Sequence, residues 1–178
     1  VMIASVTAAT NEAKGATPAT VPVFRADQLG VLIQIVPNAL KRSVELQFPA
    51  PPDLAHFEKR PADLISFILG HEGNGSLYDV LKKKGWAESL TTSDKGTNDH
   101  TLFSISVNLT ESGFKNWSAV VDTIFQAIRQ VQNAPSLEQY FEERRKISEL
   151  RFRFAEPMKP STAVRMTAHR LTLYPPEH

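Results

Sequence analysis

Within residues 69–86, a glycine-rich polar segment separates two apolar helical patterns. The first pattern starts at Pro61, which suits the first helical position, and repeats at helical spacing until Gly70. The second starts near Ser76 and stops at Gly85, as expected of a glycine that follows a helix. The break contains Gly70-His71-Glu72-Gly73-Asn74-Gly75. This pattern predicts two short helices joined by a tight turn that carries polar groups.

Two extended patterns precede these helices. Residues 32–36 and 44–48 alternate apolar with polar side chains on either side of a short connection, which predicts a β-hairpin with one buried face. Proline cannot donate a hydrogen bond to a sheet ladder. Pro49, Pro51 and Pro52 are therefore expected to end the second strand.

A second hairpin is predicted between residues 86 and 109, where two extended patterns flank the polar segment 91–100. Thr110 then stands where it can cap a long helix, whose apolar face runs from Phe114 to Val131. The chain thus returns from strands to helices.

Two further helices are expected at the C-terminal end. Ser136 and Gln139 have the spacing of a capping box for one, and the other starts after Pro160 and reaches about Tyr174. The order of strands, helices, strands and helices favours an α+β fold, with a mainly antiparallel sheet covered on one face by helices.

The domain prediction is one folded unit of residues 23–178, preceded by residues 1–22 as an interdomain connection or as the end of a preceding domain. The connection is predicted because residues 7–21 are rich in Ala and Thr, include Gly15 and Pro18, and have few bulky apolar side chains. Because the first residue is Val1 rather than methionine, we do not expect a native start there; at the other end, no closing strand follows the last helix. We therefore expect a domain that is incomplete at its C-terminus.

Composition excludes several classes of partner. With 20 Lys and Arg against 19 Asp and Glu, the formal charge is +1, which argues against nucleic acid as a partner. No apolar run approaches the roughly 18 to 20 residues that span a bilayer, so no membrane partner is expected. The absence of cysteine suits a reducing compartment, and we expect a cytoplasmic location, with mitochondria or peroxisomes as alternatives.

The His71-Glu72 pair does not by itself form a zinc site. A helical zinc site needs two ligands one turn apart, as in HExxH or HxxEH, and the sequence contains neither motif. A phosphate cradle at residues 73–76 is also disfavoured, because no lysine follows the last glycine and Glu72 would repel an anion. No metal ligand is predicted in this chain.

Two interpretations of the turn stay open on the residues alone. In the first, the segment binds peptide: Glu72 pairs with an ammonium group, and an adjacent edge strand at residues 86–92 accepts an extended chain by β-augmentation. In the second, the glycines only permit a tight turn between packed helices, and Glu72 caps the second one.

A family resemblance bears on this choice. The segments that carry it are Gly70-His71-Glu72-Gly73-Asn74-Gly75-Ser76-Leu77, Lys84-Gly85-Trp86 and Val107-Asn108-Leu109-Thr110-Glu111-Ser112-Gly113. In this order they resemble the second domain of the insulinase, or pitrilysin-type, zinc metallopeptidases, in the branch with insulin-degrading enzyme and the fungal a-factor-processing enzymes. The likeness covers most of the chain after about Val23.

The resemblance implies a fragment of a zinc metalloendopeptidase that degrades or processes short peptides. In that family four homologous α+β domains close around a chamber, and the HxxEH zinc site lies in the first. It therefore implies zinc in the parent enzyme and none in this segment. The implied partners are peptide substrates and the other domains of the parent chain, with self-association left open.

The resemblance also implies an exosite, which anchors the amino-terminal end of the substrate away from the zinc. It places no catalytic residue here, and matched residue by residue it gives the exosite as Gly70, His71, Glu72, Leu90, Thr91 and Thr92. The family pattern has a small, flexible pair where this chain has Thr91-Thr92, and a proline in place of Asn74. Substrate preference therefore does not carry over.

Two other functions compete with the exosite fragment. One is a non-catalytic homologue or partner subunit of the same fold, acting in binding or assembly; the presence of HxxEH upstream in the parent would discriminate them. The other is a self-standing small-molecule binding module, which would unfold cooperatively by itself.

Overall fold

The computed structural model describes residues 24–25, 28–38, 41–51, 59–96 and 101–173. The strands are β1 (Ser43–Ala50), β2 (Ala87–Gly96) and β3 (Thr101–Leu109). The helices are α1 (Pro61–Leu69), α2 (Leu77–Lys83), α3 (Glu111–Lys115), α4 (Trp117–Gln132), α5 (Glu138–Arg153) and α6 (Pro160–Leu173). The α+β class predicted from the sequence is confirmed.

The three strands form an antiparallel sheet in the order β1-β3-β2. Because side chains alternate along a strand, the register sets two different faces. One face buries Ile105 and Val107 against the helices. The other is polar, with Glu45 and Thr91 flanking Ser106 across the three strands. Among the described residues, helices therefore cover one face of the sheet, as predicted.

The core lies between that apolar face and α1, α2 and α4. Its fully buried side chains include Leu81 of α2 and Val120 and Ile124 of α4. Phe48 extends the core at the β1 edge, where its ring meets Phe125 edge-on at 6.2 Å. The two helices that flank the glycine-rich turn, α1 and α2, are both anchored in this core.

The predicted first hairpin is wrong. Residues 32–36 form no strand; their side chains are exposed, to 93% at Val36. The strand that includes residues 44–48 instead pairs with β3, so that Phe48 lies opposite Phe103. Alternation shows that a segment can form a strand, but it does not identify the partner.

Two strand boundaries also differ from expectation. β1 continues through Pro49 and ends at Ala50. Pro49 is tolerated within the strand because β1 is an edge strand of the described sheet, where a missing N–H is not needed by a neighbour. β2 runs on to Gly96, so much of the polar segment 91–100 is strand rather than connection. The hairpin of β2 and β3 is confirmed.

The long helix expected after Thr110 is two helices. The Thr110 hydroxyl caps only α3, by accepting from the Gly113 N–H at 3.0 Å. The chain then breaks at Asn116, whose φ of −112° and ψ of 27° are not helical. Gly113 packs against the Trp86 carbonyl, where a Cβ atom would not fit. This contact holds α3 at the end of the hairpin.

The capping box predicted at Ser136 and Gln139 is absent. The Ser136 hydroxyl accepts from the Glu138 N–H, and α5 begins after Leu137 without a side-chain cap. The apolar side chains of α5 are at most half-buried, as at Tyr140 and Ile147, and no residue of α5 is fully buried. This helix is held by polar and aromatic contacts rather than by the core.

Candidate functional site

The glycine-rich turn is a structured connection between α1 and α2. The Ser76 N–H donates to the Gly73 carbonyl at 3.0 Å, and Gly75 takes a φ of +81°, which favours glycine. The Ser76 hydroxyl caps α2 by accepting from the Asp79 N–H at 3.2 Å. Glu72 is therefore not the cap of α2, contrary to the second of the two interpretations of the turn.

Asp79 braces the far side of the turn. Its Oδ2 accepts from the Gly75 N–H at 2.8 Å and from Lys83 Nζ at 2.7 Å, and Lys83 also donates to Asn74. The hydrogen bond from Lys83, followed by that from Gly75, lowers the pKa of the Asp79 carboxyl below its ordinary value of 3.8. Residues 73–76 thus have a defined conformation that presents Glu72.

His71 has a structural position in this turn. Its Nδ1 accepts from the Gly73 N–H at 2.9 Å, and its Nε2 lies 3.7 Å from Glu143 Oε1 on α5. The ring is also edge-on to Phe67 and Tyr140. With one nitrogen used inside the turn and the other facing α5, His71 links the turn to that helix.

Gly70 and Thr92 lie in contact, which joins the turn to the strand. A Cβ atom on Gly70 would stand 2.6 Å from Thr92 Oγ1 and 2.9 Å from the Ser66 carbonyl oxygen. The Thr92 hydroxyl donates to that carbonyl at 2.9 Å, and the Ser66 hydroxyl donates to Thr92 Oγ1 at 2.9 Å. Gly70 is therefore required for space, since its φ of −86° suits any residue.

The three strand residues of the predicted exosite have different surroundings. Leu90 is buried, at 6% exposed, and packs in the core opposite Val107. Thr91 is exposed on the polar face, and Thr92 points to the helices. Because its side chain is buried, Leu90 can meet a ligand only through its backbone.

β2 is an edge strand of the sheet among the described residues. A bulge at Glu88 shifts its register between Ala87 and Ser89, and Tyr78 donates to the Glu88 carbonyl at 2.9 Å. An edge strand offers backbone donors and acceptors to an added strand. Glu72, in the turn that contacts this strand through Gly70, is exposed and forms no hydrogen bond or ion pair within the described part of the chain.

The structure thus brings Gly70 into contact with Thr92, leaves Glu72 and Thr91 exposed, and buries Leu90 and part of His71. Sequence reasoning missed Ser66, although it lies one helical turn before Gly70 on the same face. It also missed Glu143 and Tyr140, which no local pattern connects to the turn.

The described residues do not fit a zinc ion. No three or more His, Asp or Glu side chains among them converge in a group that could hold a metal. His71 also uses Nδ1 as an acceptor within the turn. No helix in the described parts of the chain has the length and apolarity to cross a membrane.

Comparison with known families gives a match over most of the chain. Residues 8–147 match the family described as the peptidase M16 inactive domain. This agrees with the resemblance noted in the sequence.

Individual relatives give the same result. Human nardilysin is 32% identical over 149 residues, which are 81% of this chain and 13% of the relative. The A-factor-processing enzyme of Saccharomyces cerevisiae is 33% identical over 80% of this chain and 14% of its own length. Insulin-degrading enzyme-like 1, peroxisomal, of Arabidopsis thaliana is 27% identical over 84% of this chain and 16% of its own length. The chain therefore spans about a seventh of these relatives.

A solved structure supports the fold. The crystal structure of pitrilysin superimposes with a TM-score of 0.71 and 23% identity, over 76% of this chain and 15% of that one. At this identity the superposition supports the architecture alone.

Proposed function

The chain belongs to the peptidase M16 family as an inactive domain, and from this premise we propose that it is the non-catalytic part of a zinc metalloendopeptidase. The parent enzyme hydrolyses short peptides. The zinc and the groups that act with it belong to another part of the parent in this proposal, because the sequence contains neither HExxH nor HxxEH and no group of His, Asp or Glu in the described residues fits the metal. This chain binds and orients the peptide.

The proposed binding site is an exosite for the amino-terminal end of the peptide, formed by Gly70, His71 and Glu72 with the strand Leu90, Thr91 and Thr92. The observation that carries it is the contact of Gly70 with Thr92, because it sets the turn beside an edge strand. Backbone groups of β2 pair with the extended peptide, and the Glu72 carboxylate, which has no partner among the described residues, receives its ammonium group. His71 orients the turn.

Remote anchoring of this kind contributes to catalysis by position. Binding energy gained away from the reacting bond holds that bond in the orientation that reacts. Residues 23–178 form the anchoring domain and residues 1–22 connect it to the rest of the parent chain. The polar open face of its sheet lines the chamber that holds the peptide.

The proposed compartment is a reducing one, such as the cytoplasm or the peroxisome. The chain has no cysteine, and the printed name of one relative carries the word peroxisomal. The remaining partners are the other domains of the parent.

A first experiment locates the chemistry. The 178-residue chain is purified and mixed with zinc and a fluorogenic peptide. We expect no cleavage that a chelator abolishes; such cleavage would contradict the assignment of the catalytic groups to another part of the parent. A parent sequence without HxxEH upstream would instead identify a binding homologue.

A second experiment tests the anchor. In the parent enzyme, Glu72→Gln is expected to raise the KM of a long peptide about two- to fivefold, the value of one exposed ion pair. A short peptide that cannot span both sites should be unaffected, as should the long one after acetylation of its amino end. Glu156→Gln, which removes an exposed carboxylate between α5 and α6, is the matched control. Equal losses for long and short peptides would count against an exosite.

A further inference from the structure

Ser66 of α1 and Thr92 of β2 form a reciprocal pair of hydroxyl groups, which we call the Ser66–Thr92 clasp. The Ser66 hydroxyl donates to Thr92 Oγ1, and the Thr92 hydroxyl donates to the Ser66 carbonyl oxygen, each at 2.9 Å. That same carbonyl accepts the Gly70 N–H at 2.9 Å. The Ser66 carbonyl oxygen thus accepts hydrogen bonds from both the turn, through the Gly70 N–H, and the strand, through the Thr92 hydroxyl.

We infer that the Ser66–Thr92 clasp positions the edge of β2 against the turn and so selects extended peptides with a free amino end. This rests on the proposed exosite; it adds Ser66 to that site and assigns Thr92 the role of a positioning residue. Ser66 and Thr92 act through Glu72 and the β2 backbone rather than on the peptide itself. Neither hydroxyl is free to bind a ligand, because each already has a partner.

The direction of the Thr92 side chain explains how the clasp leaves the site open. Thr92 points to the helix-covered face, in register with Ile105, whereas Thr91 points to the polar face. The clasp therefore connects β2 to α1 on the helix-covered face of the sheet. It occupies one face and leaves the backbone edge of the strand clear for an added strand.

The clasp also fixes the spacing of two recognition elements. An ammonium group and a backbone ladder are satisfied together only if the carboxylate and the strand edge have a constant separation. The hydroxyl groups link elements 26 residues apart in sequence, and Gly70 allows their approach to within contact distance. A preorganised separation lowers the entropy cost of ordering the site on binding. Loss of that separation should therefore weaken the binding of a peptide that uses both elements.

The test uses the full-length parent, with a chelator present to stop turnover, and measures binding by fluorescence anisotropy. The probes are one long peptide labelled at its carboxyl end, with a free or an acetylated amino end. Thr92→Val removes both hydroxyl bonds and should raise the Kd of the free-amino peptide about three- to tenfold, as expected for one or two neutral hydrogen bonds. The acetylated peptide should lose less.

Graded variants separate the clasp from a general loss of stability. Ser66→Ala removes one of the two bonds and should have the smaller effect, Thr92→Ser should restore wild-type binding, and Ser66→Ala should add little to Thr92→Val. Thr123→Val is the matched control, because the Thr123 hydroxyl likewise donates to a helix carbonyl, that of Ala119, at 2.7 Å. It should leave the ratio of the two Kd values unchanged.

The outcomes distinguish the clasp from the exosite. If Glu72→Gln weakens the free-amino peptide but Thr92→Val and Ser66→Ala do not, the clasp is wrong and the exosite stands. If none of the three weakens it, the exosite fails and the clasp with it. The clasp would have no specific role in selection if its variants weakened binding of the free-amino and acetylated peptides equally. The same would follow if Thr123→Val changed the two Kd values as much as Thr92→Val does. Should Thr92→Val not fold, Ser66→Ala alone distinguishes these outcomes, since it keeps the bond to the carbonyl.

Discussion

At Gly70 the side chain is excluded by space, whereas at Gly75 it is disfavoured by backbone conformation. A Cβ atom on Gly70 would overlap Thr92 Oγ1 and the Ser66 carbonyl, while one on Gly75 would meet nothing within 4 Å. The positive φ of Gly75 is the only cost there. The two positions therefore require glycine for different physical reasons, and substitution by alanine should show different responses at each.

Gly70→Ala is expected to destabilise the chain by roughly 1–3 kcal/mol, the usual cost of overpacking. Gly75→Ala should cost about 1 kcal/mol, as for a left-handed residue with a Cβ. Thr92→Ala should recover part of the Gly70→Ala loss and none of the Gly75→Ala loss, because it removes the overlapping hydroxyl. Denaturant midpoints measure all three, and a Gly70→Ala protein as stable as wild type would contradict the close approach.

Asp79 should make the turn sensitive to acid. Its pKa is lowered in the folded protein, chiefly by Lys83, so its stabilising effect is complete above its ordinary value of 3.8 and is lost as the pH falls through the lower folded value. The Gly75 amide resonance should follow this titration by NMR. Asp79→Asn should abolish the effect.

A control for that titration lies on α5. Glu142→Gln removes a carboxylate whose pKa is also lowered, through its hydrogen bond with Arg145, but which does not contact the turn. The Gly75 amide should keep its acid titration in this variant. A titration that follows Glu142 rather than Asp79 would refute the assignment.

At the scale of elements, α5 is attached to α1 by a paired guanidinium and carboxylate. Arg144 Nε and one terminal nitrogen donate to the two oxygens of Asp63, both at 2.9 Å, and the guanidinium lies over the Phe67 ring. Both side chains are mostly buried, at 21% and 25% exposed. The same helix brings Glu143 and Tyr140 to His71, so this ion pair supports the turn from behind.

Arg144→Lys is expected to cost about 1–2 kcal/mol, because lysine keeps the charge but cannot form the two parallel bonds. Arg145→Lys should cost less, since Arg145 pairs only with Glu142 and Glu149 of its own helix among the described residues. Chemical unfolding measures both, and a double-mutant cycle with Asp63→Asn isolates the pair. Equal costs for Arg144→Lys and Arg145→Lys would show that the bridge between helices adds nothing.

At the scale of the whole molecule, stability is concentrated in the N-terminal two-thirds of the described chain. The core is built from the sheet with α1, α2 and α4, whereas no described side chain of α6 is buried. Phe152 and Phe154, at the end of α5, are 87% and 74% exposed. The last two helical segments therefore add little to the core within this chain.

Deleting residues 155–178 should leave the denaturant midpoint nearly unchanged. The removed segment buries no apolar side chain among its described residues, so its loss should reduce helical circular dichroism without exposing the core. Equilibrium unfolding followed by tryptophan fluorescence of Trp86 and Trp117 measures this. A large drop in the midpoint would show that α6 stabilises the core.

Local patterns were sufficient for most of the elements. Helical spacing with Pro61 and Gly85 as boundaries predicted α1 and α2, and the extended patterns before Leu109 predicted the hairpin of β2 and β3. The pattern failed where a boundary or partner is set elsewhere. Asn116 breaks the helix after Thr110, and residues 32–36 do not pair as their alternation suggests.

By itself, the sequence determined the α+β class and the turn between α1 and α2, because these depend on residues close together in the chain. Its ordered motifs also indicated the family, and the resemblance in turn implied the exosite residues, which stay a prediction. Only the tertiary structure decided that β1 pairs with β3, that His71 faces Glu143, and that Ser66 meets Thr92 beneath Gly70. Those contacts join segments far apart in sequence, and their geometry exists only after the core has brought the segments together.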